Sequence, residues 1–146
     1  MFGWLHSRIR HPFYPNLRVT LAAQASGESH VLAGNFSELE TAASRGARAS
    51  HAVFILVADD GPLATTQQRE RLWAWFHVPS FAIVLDGRGR VVAFECEAQD
   101  GFHLAGHAAA EDSPLCPCGR PGPRVSALRP TIARDGALPI PDRVSV

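Results

Sequence analysis

The sequence predicts an α/β fold: a small mixed sheet with helices packed on it, a β-hairpin, and a Pro-rich C-terminal arm clamped by a metal. Three observations carry that prediction. The run His51-Ala-Val-Phe-Ile-Leu-Val-Ala58 is the most apolar in the chain, and its short, unbroken apolar character is that of a strand covered on both faces. Stretches with helical spacing and capping residues lie on either side of it. All three cysteines fall late, between residues 96 and 118, just ahead of or within a proline-rich stretch.

Taken in order, residues 1–16 carry aromatics, Pro12 and Pro15 without a steady period, and are read as an irregular arm packing by Trp4 and Phe13. From Leu17 to Ala23 the residues Leu17, Val19, Leu21 and Ala23 alternate on one face, the period of a half-buried strand. A turn over 24–29 follows, and 30–33 is a candidate pairing strand. Ser37-Glu38-Leu39-Glu40 reads as a capping box, with Leu39, Ala42, Ala43 and Gly46 at helical spacing, so a helix is expected from Ser37 to near Arg48.

After the central strand, Asp59-Asp60-Gly61-Pro62 breaks the chain. Thr65 and Gln68 cap a second helix running through Phe76, whose Leu72, Trp75 and Phe76 share a face. Pro79 ends that segment. Residues 81–85 and 90–95 flank Asp86-Gly87-Arg88-Gly89, whose glycines supply the positive φ of a hairpin turn. The expected organisation is an arm over 1–16, an α/β core over 17–112, and a Pro-rich arm over 113–146 tied to the core by metal. Seven of the eleven prolines lie from Pro114 onward.

Composition removes several function classes. With 146 residues there is room for one domain and a tail, not for separate cofactor and substrate domains. Fourteen arginines balance fourteen acids and give no overall field for nucleic acid or an anionic membrane. The chain has no lysine, which excludes Schiff-base chemistry and the phosphate-gripping lysine of a Walker loop. No apolar run reaches the roughly 18 to 20 residues that span a bilayer, and the first ten residues lack the features of an export signal. The expected compartment is the cytoplasm, where a disulfide framework is disfavoured.

Chemistry concentrates in Cys96, His103, Cys116 and Cys118, spaced C-x6-H-x12-C-x-C. Three thiolates and an imidazole form a complete tetrahedral set for zinc, and a closed four-ligand site is structural because no position remains for water. Such a clamp would substitute for the apolar contacts that the segment after Ser113 lacks. His107 competes with His103 as fourth ligand. The competing accounts of the cysteines are small buried hydrophobes and a redox-active pair.

Three stretches also resemble the phenylacetate-CoA ligase branch of adenylate-forming enzymes, over roughly residues 51–130. They are the helix leading into Phe76-His-Val-Pro79, the strand ending Glu95-Cys-Glu-Ala-Gln-Asp-Gly-Phe-His103, and Cys116-Pro-Cys-Gly-Arg120. The resemblance implies Cys96, His103, Cys116 and Cys118 as zinc ligands. The Tyr-Gly-x-Thr-Glu nucleotide-binding step of that branch is replaced here by Ala82-Ile-Val-Leu-Asp-Gly-Arg-Gly89. A phosphate loop and a catalytic lysine are absent too, which argues against adenylation by this chain alone.

Two further clusters draw notice. Asp59 and Asp60 follow the central strand, where open α/β sheets bind ligands, although Asp-Asp-Gly-Pro is also ordinary turn chemistry. Arg120 and Arg124 follow the proposed ligands and can pair with Glu95, Glu97 and Asp100 or meet an anion. Trp73 lies partly off the buried stripe. His51 and His77 read as surface or capping residues. The expected function is a non-catalytic zinc-binding α/β domain, a stand-alone relative or remnant of a ligase subdomain, acting on an unknown protein partner or small ligand. The alternatives are a partner of an acyl- or aryl-CoA ligase with the ATP site on another chain, and a thiol redox sensor.

Overall fold

A computed structural model describes residues 9–99, 101–105, 116–120 and 124–125. Trp4, Asp100, His107 and the proline-rich stretch over 126–146 lie outside the described residues, and for Arg124 and Val125 only the backbone is described. The elements are β1 (Val19–Leu21), β2 (Glu28–Gly34), α1 (Phe36–Ser44), β3 (Arg48–Ala58), α2 (Thr66–Phe76), β4 (Ser80–Leu85), β5 (Val91–Phe94), β6 (Phe102–Leu104) and β7 (Arg124–Val125). One turn of 3-10 helix, Ala22–Gln24, joins β1 to β2.

All seven strands form one sheet in sequence order. β1 to β4 are parallel, and β5, β6 and β7 are antiparallel additions. Because each parallel strand is placed beside the one before it, crossovers of a single hand put the 3-10 turn, α1 and α2 on one face. Leu39, Ala42, Leu72 and Phe76 of the helices bury there against Leu32, Val53, Ile55, Val57, Ala82 and Val84. The alternate residues Val31, Phe54, Phe81, Ile83 and Phe94 point to the second face, where they pack with Ile9, Phe13, Tyr14 and Leu17. No helix among the described residues covers that second face; the irregular arm does. No helix among the described residues is long and apolar enough to cross a membrane.

Both helices carry reciprocal capping boxes. Thr65 and Gln68 cap α2 as the sequence predicts. In α1 the cap is Asn35, whose Oδ1 accepts from Glu38 N–H at 2.8 Å while Glu38 Oε1 accepts from Asn35 N–H at 2.9 Å. This corrects the Ser37 reading: asparagine caps as well as serine does, and Asn35 stands three residues before Glu38, as Ser37 does before Glu40. α1 also ends at Ser44 rather than near Arg48, because Gly46 takes φ +87° and turns the chain into β3. The predicted strand over 17–23 is shorter, since Ala22 and Ala23 belong to the 3-10 turn. Arg45 Nη2 holds that turn by donating to the carbonyls of Ala22 and Ala25, both at 3.0 Å.

The hairpin β4–β5 forms as predicted, with Asp86 N–H donating to Arg90 O at 2.9 Å and Gly89 at φ +80°. The strands that the sequence reading identifies end with the hairpin at residue 95, just before Cys96, but the sheet does not end there. β6 and β7 extend the sheet beyond it, and β7 lies within the segment read as an arm.

Candidate metal centre

Three local structures deliver the four candidate ligands. The first is the turn that follows β5. Gln99 N–H donates to Cys96 O at 2.9 Å, Gln99 adopts φ +52°, and Gly101 adopts φ +83°, so the chain reverses sharply into β6. The second is the register of that reversal, which sets His103 opposite Phe94. The imidazole lies parallel to the Phe94 ring, centroids 5.5 Å apart, and meets the Phe13 ring edge-on at 4.7 Å. These contacts leave His103 only 2% exposed. The third is the Cys116-Pro-Cys-Gly knuckle, closed by Gly119 N–H to Cys116 O at 2.8 Å with Gly119 at φ +85°. A side chain there would resist that conformation, which is why glycine follows the second cysteine. β7 then pairs with β6, with Arg124 opposite His103.

The donor atoms of Cys96, His103, Cys116 and Cys118 all lie within 4.8 Å of one another. Cys96 Sγ and Cys116 Sγ are 3.5 Å apart, and Cys118 Sγ is 3.7 Å from His103 Nε2. A tetrahedral ion with zinc-like bond lengths requires edges of about 3.8 Å between sulfurs and about 3.6 Å between sulfur and nitrogen. The donor set fits such an ion. Two backbone amides also point at sulfur: Ala98 N–H to Cys96 Sγ at 3.3 Å and Arg120 N–H to Cys118 Sγ at 3.5 Å. Amides aimed at sulfur favour thiolate, the form that binds metal.

Burial pushes the Cys96 thiol up to about 11. Cys118 would also be raised by burial, but the Arg120 amide, the neighbouring sulfurs and the Arg120 side chain together hold it below the ordinary thiol range. Loading therefore displaces a firmly held proton from Cys96, and acid opposes it. An ion held by all four donors would have no open position for substrate or water.

Around the candidate ligands stands a shell of which the sequence suggested only the Arg120–Glu97 pair. His11 is fully buried, with Nε2 2.6 Å from Glu95 O and Nδ1 3.1 Å from Phe13 N. The carbonyl can only accept and the amide can only donate, so the ring is the neutral Nε2–H tautomer. Burial accordingly lowers its pKa to about 4. Arg120 donates to both carboxylate oxygens of Glu97, at 3.0 and 2.9 Å, and lies over the Phe13 ring at 4.6 Å. Tyr14 Oη donates to the same Glu97 carboxylate. That hydrogen bond and the Arg120 charge keep the Glu97 carboxyl below its usual range. On the helix face, Glu95 Oε1 accepts from Ala82 N–H at 2.8 Å and pairs with Arg69 at 2.9 Å.

The other candidates fall elsewhere. Asp59 and Asp60 form a turn at the C-terminal end of β3, whereas the metal ligands sit at the opposite end of the parallel strands. Arg120 pairs with Glu97, the solvated pairing expected from its neighbours, while Glu95 pairs instead with Arg69. His77 is the C-cap of α2 in the left-handed region, φ 58°. Trp73 is 57% exposed, and Trp75 packs on Phe36 at 5.6 Å. Comparison of the sequence with protein-family models and with curated proteins returns no match.

Proposed function

We propose that this protein is a structural-zinc α/β domain in which the ion locks the sheet's antiparallel edge to the knuckle, and that it acts by binding rather than by catalysis. The convergence of Cys96, His103, Cys116 and Cys118 carries the reading. Soft thiolates with one imidazole in a tetrahedral arrangement favour zinc over calcium, magnesium or manganese. The closed donor set makes the role structural. The resemblance to the phenylacetate-CoA ligase branch supports the same four ligands, and on that reading the chain is a stand-alone relative of a ligase subdomain.

Metal analysis by mass spectrometry tests this, using protein purified without chelator or histidine tag. About one zinc per chain is expected, with less than a tenth of that in Cys116→Ser and His103→Ala. Metal-free wild type after purification under reducing conditions overturns the proposal.

The 3.5 Å separation of the Cys96 and Cys116 sulfurs favours a second reading, as a thiol redox sensor. One thiolate attacks a hydroperoxide, forming a sulfenic acid and releasing an alcohol or water once protonated. The other thiolate then attacks that sulfur, a disulfide forms, and hydroxide leaves. Two sulfurs are oxidised, the peroxide is reduced, and the metal loses two ligands. Intact mass and zinc content before and after peroxide treatment separate a sensor from an inert clamp.

A further inference from the structure

On the sheet face opposite the helices lies a cleft of about 490 Å³. The irregular arm contributes Phe13, Tyr14 and Leu17 to it, and the sheet contributes Ala52 and Phe81. Asn16 and His51 are the polar residues of the lining; the His51 ring lies 4.8 Å from that of His30, and its Nδ1 is engaged by Ser50 Oγ at 2.8 Å. Volume, concavity and an apolar lining with two polar groups are the attributes of a small-molecule site. No acid or arginine is among the described lining residues. A carboxylate, phosphate or ammonium entering the cleft would lose hydration without gaining a counter-charge, so the lining selects an uncharged ligand. Three aromatic rings select a flat one.

The wall formed by the arm has no helix or strand to hold it. It is fixed instead by side chains reaching the metal turn and knuckle: His11 to Glu95 O, Tyr14 to Glu97, and Arg120 over the rings of Phe13 and Tyr14 at 4.6 and 5.5 Å. Arg120 belongs to the knuckle, and its own amide donates to the ligand sulfur of Cys118. Whatever orders the knuckle therefore orders Arg120, and through Arg120 the two rings that wall the cleft.

We propose that this cleft binds a small, uncharged, planar apolar molecule, and that the metal centre sets its affinity through Arg120 stacked on Phe13 and Tyr14. The binding half stands on the cleft alone; the coupling half rests on the metal reading above. Linkage makes the coupling reciprocal, so ligand should also tighten equilibrium metal binding by the same factor.

The test is titration of the purified, metal-bearing protein with 2-naphthol and, separately, with anionic 2-naphthoate of the same size. The readouts are calorimetry and intermolecular NOEs to Leu17 and Phe81. We expect saturable 2-naphthol binding at least tenfold tighter than 2-naphthoate, and a tenfold loss in Asn16→Arg, an exposed position whose substitution leaves the core intact. Arg120→Ala should weaken 2-naphthol at least threefold with zinc content unchanged, and chelation of the wild type should do the same. Absence of saturable binding, equal affinity for the two probes, or an unaffected Asn16→Arg overturns the site. Unchanged affinity after chelation or in Arg120→Ala overturns the coupling. Metal content of the same sample reports separately on the metal reading, so a preparation lacking zinc but binding 2-naphthol removes the coupling and keeps the cleft.

Discussion

The Nε2–H of His11 donates to the backbone carbonyl of Glu95 at 2.6 Å, joining the arm to the residue that immediately precedes Cys96, the first candidate metal ligand. The ring is neutral, and its pKa is lowered from 6.5 to about 4, chiefly by burial. Between those values the unfolded chain binds the proton more readily than the folded one. The stability that His11 supplies is thus complete above pH 6.5 and is lost as pH falls toward 4, by about 3 kcal/mol over the window. Urea unfolding of wild type and His11→Gln at several pH values measures it. The wild-type advantage should shrink steadily below pH 6.5, and a constant difference would refute the assignment.

The Arg69–Glu95 pair gives a second prediction. Glu95 is almost fully buried, and its Oε1 also accepts from Ala82 N–H. Arg69→Met leaves that carboxylate without its cation, which should destabilise by about 2 kcal/mol, less than a fully buried pair because Arg69 keeps partial exposure. Adding Glu95→Gln should recover most of the loss. Denaturation of the two single variants and the double variant closes the cycle, and additive losses would show that the pair is not coupled.

Metal removal has a proteolytic signature. The chain lacks lysine, so trypsin can cut only after arginine, and Pro121 protects the bond after Arg120. The bond after Arg124 lies in β7, whose backbone pairs with β6 opposite His103. Chelation should raise cleavage after Arg124 at least tenfold, read by intact mass, because the knuckle no longer anchors that strand. Equal cleavage rates with and without chelator would sink the prediction.

Helix capping supplies a fourth test, which distinguishes two neighbouring polar residues. Asn35→Ala should cost about 1 kcal/mol and Ser37→Ala a few tenths, since Asn35 alone makes the reciprocal bonds with Glu38. Thermal unfolding of both variants decides it. Equal losses would return the cap to Ser37.

These cases mark how far the sequence was legible. Local signals were read well: Thr65 and Gln68 cap α2, the 51–58 run sits inside β3 with strands on both sides, and Asp86 to Gly89 turns the hairpin. Each depends on residues a few positions apart. The grouping of Cys96, His103, Cys116 and Cys118, close enough to hold a metal ion, was also readable, because soft ligands are rare and their clustering in the chain is visible without a fold. His11 was not, since its partner lies 84 residues away and its own neighbourhood has no period. The same holds for Arg120 on Phe13 and Arg69 on Glu95, where ordinary surface residue types are recruited by tertiary placement. β7 was missed because a two-residue strand carries no periodicity.

The sequential strand order has a consequence for the timing of folding. As the chain leaves the ribosome, each strand from β2 to β7 can pair with the one made just before it, and no strand waits for a distant mate. The arm alone breaks that rule: His11 emerges ahead of every strand, yet its acceptor on Glu95 arrives only after the hairpin is complete. The first stretch described therefore cannot be fixed until the hairpin has formed, and until then the second sheet face stays open. A bulky fusion placed ahead of the arm would obstruct that late closure, whereas the vectorial growth of the sheet would proceed beneath it undisturbed.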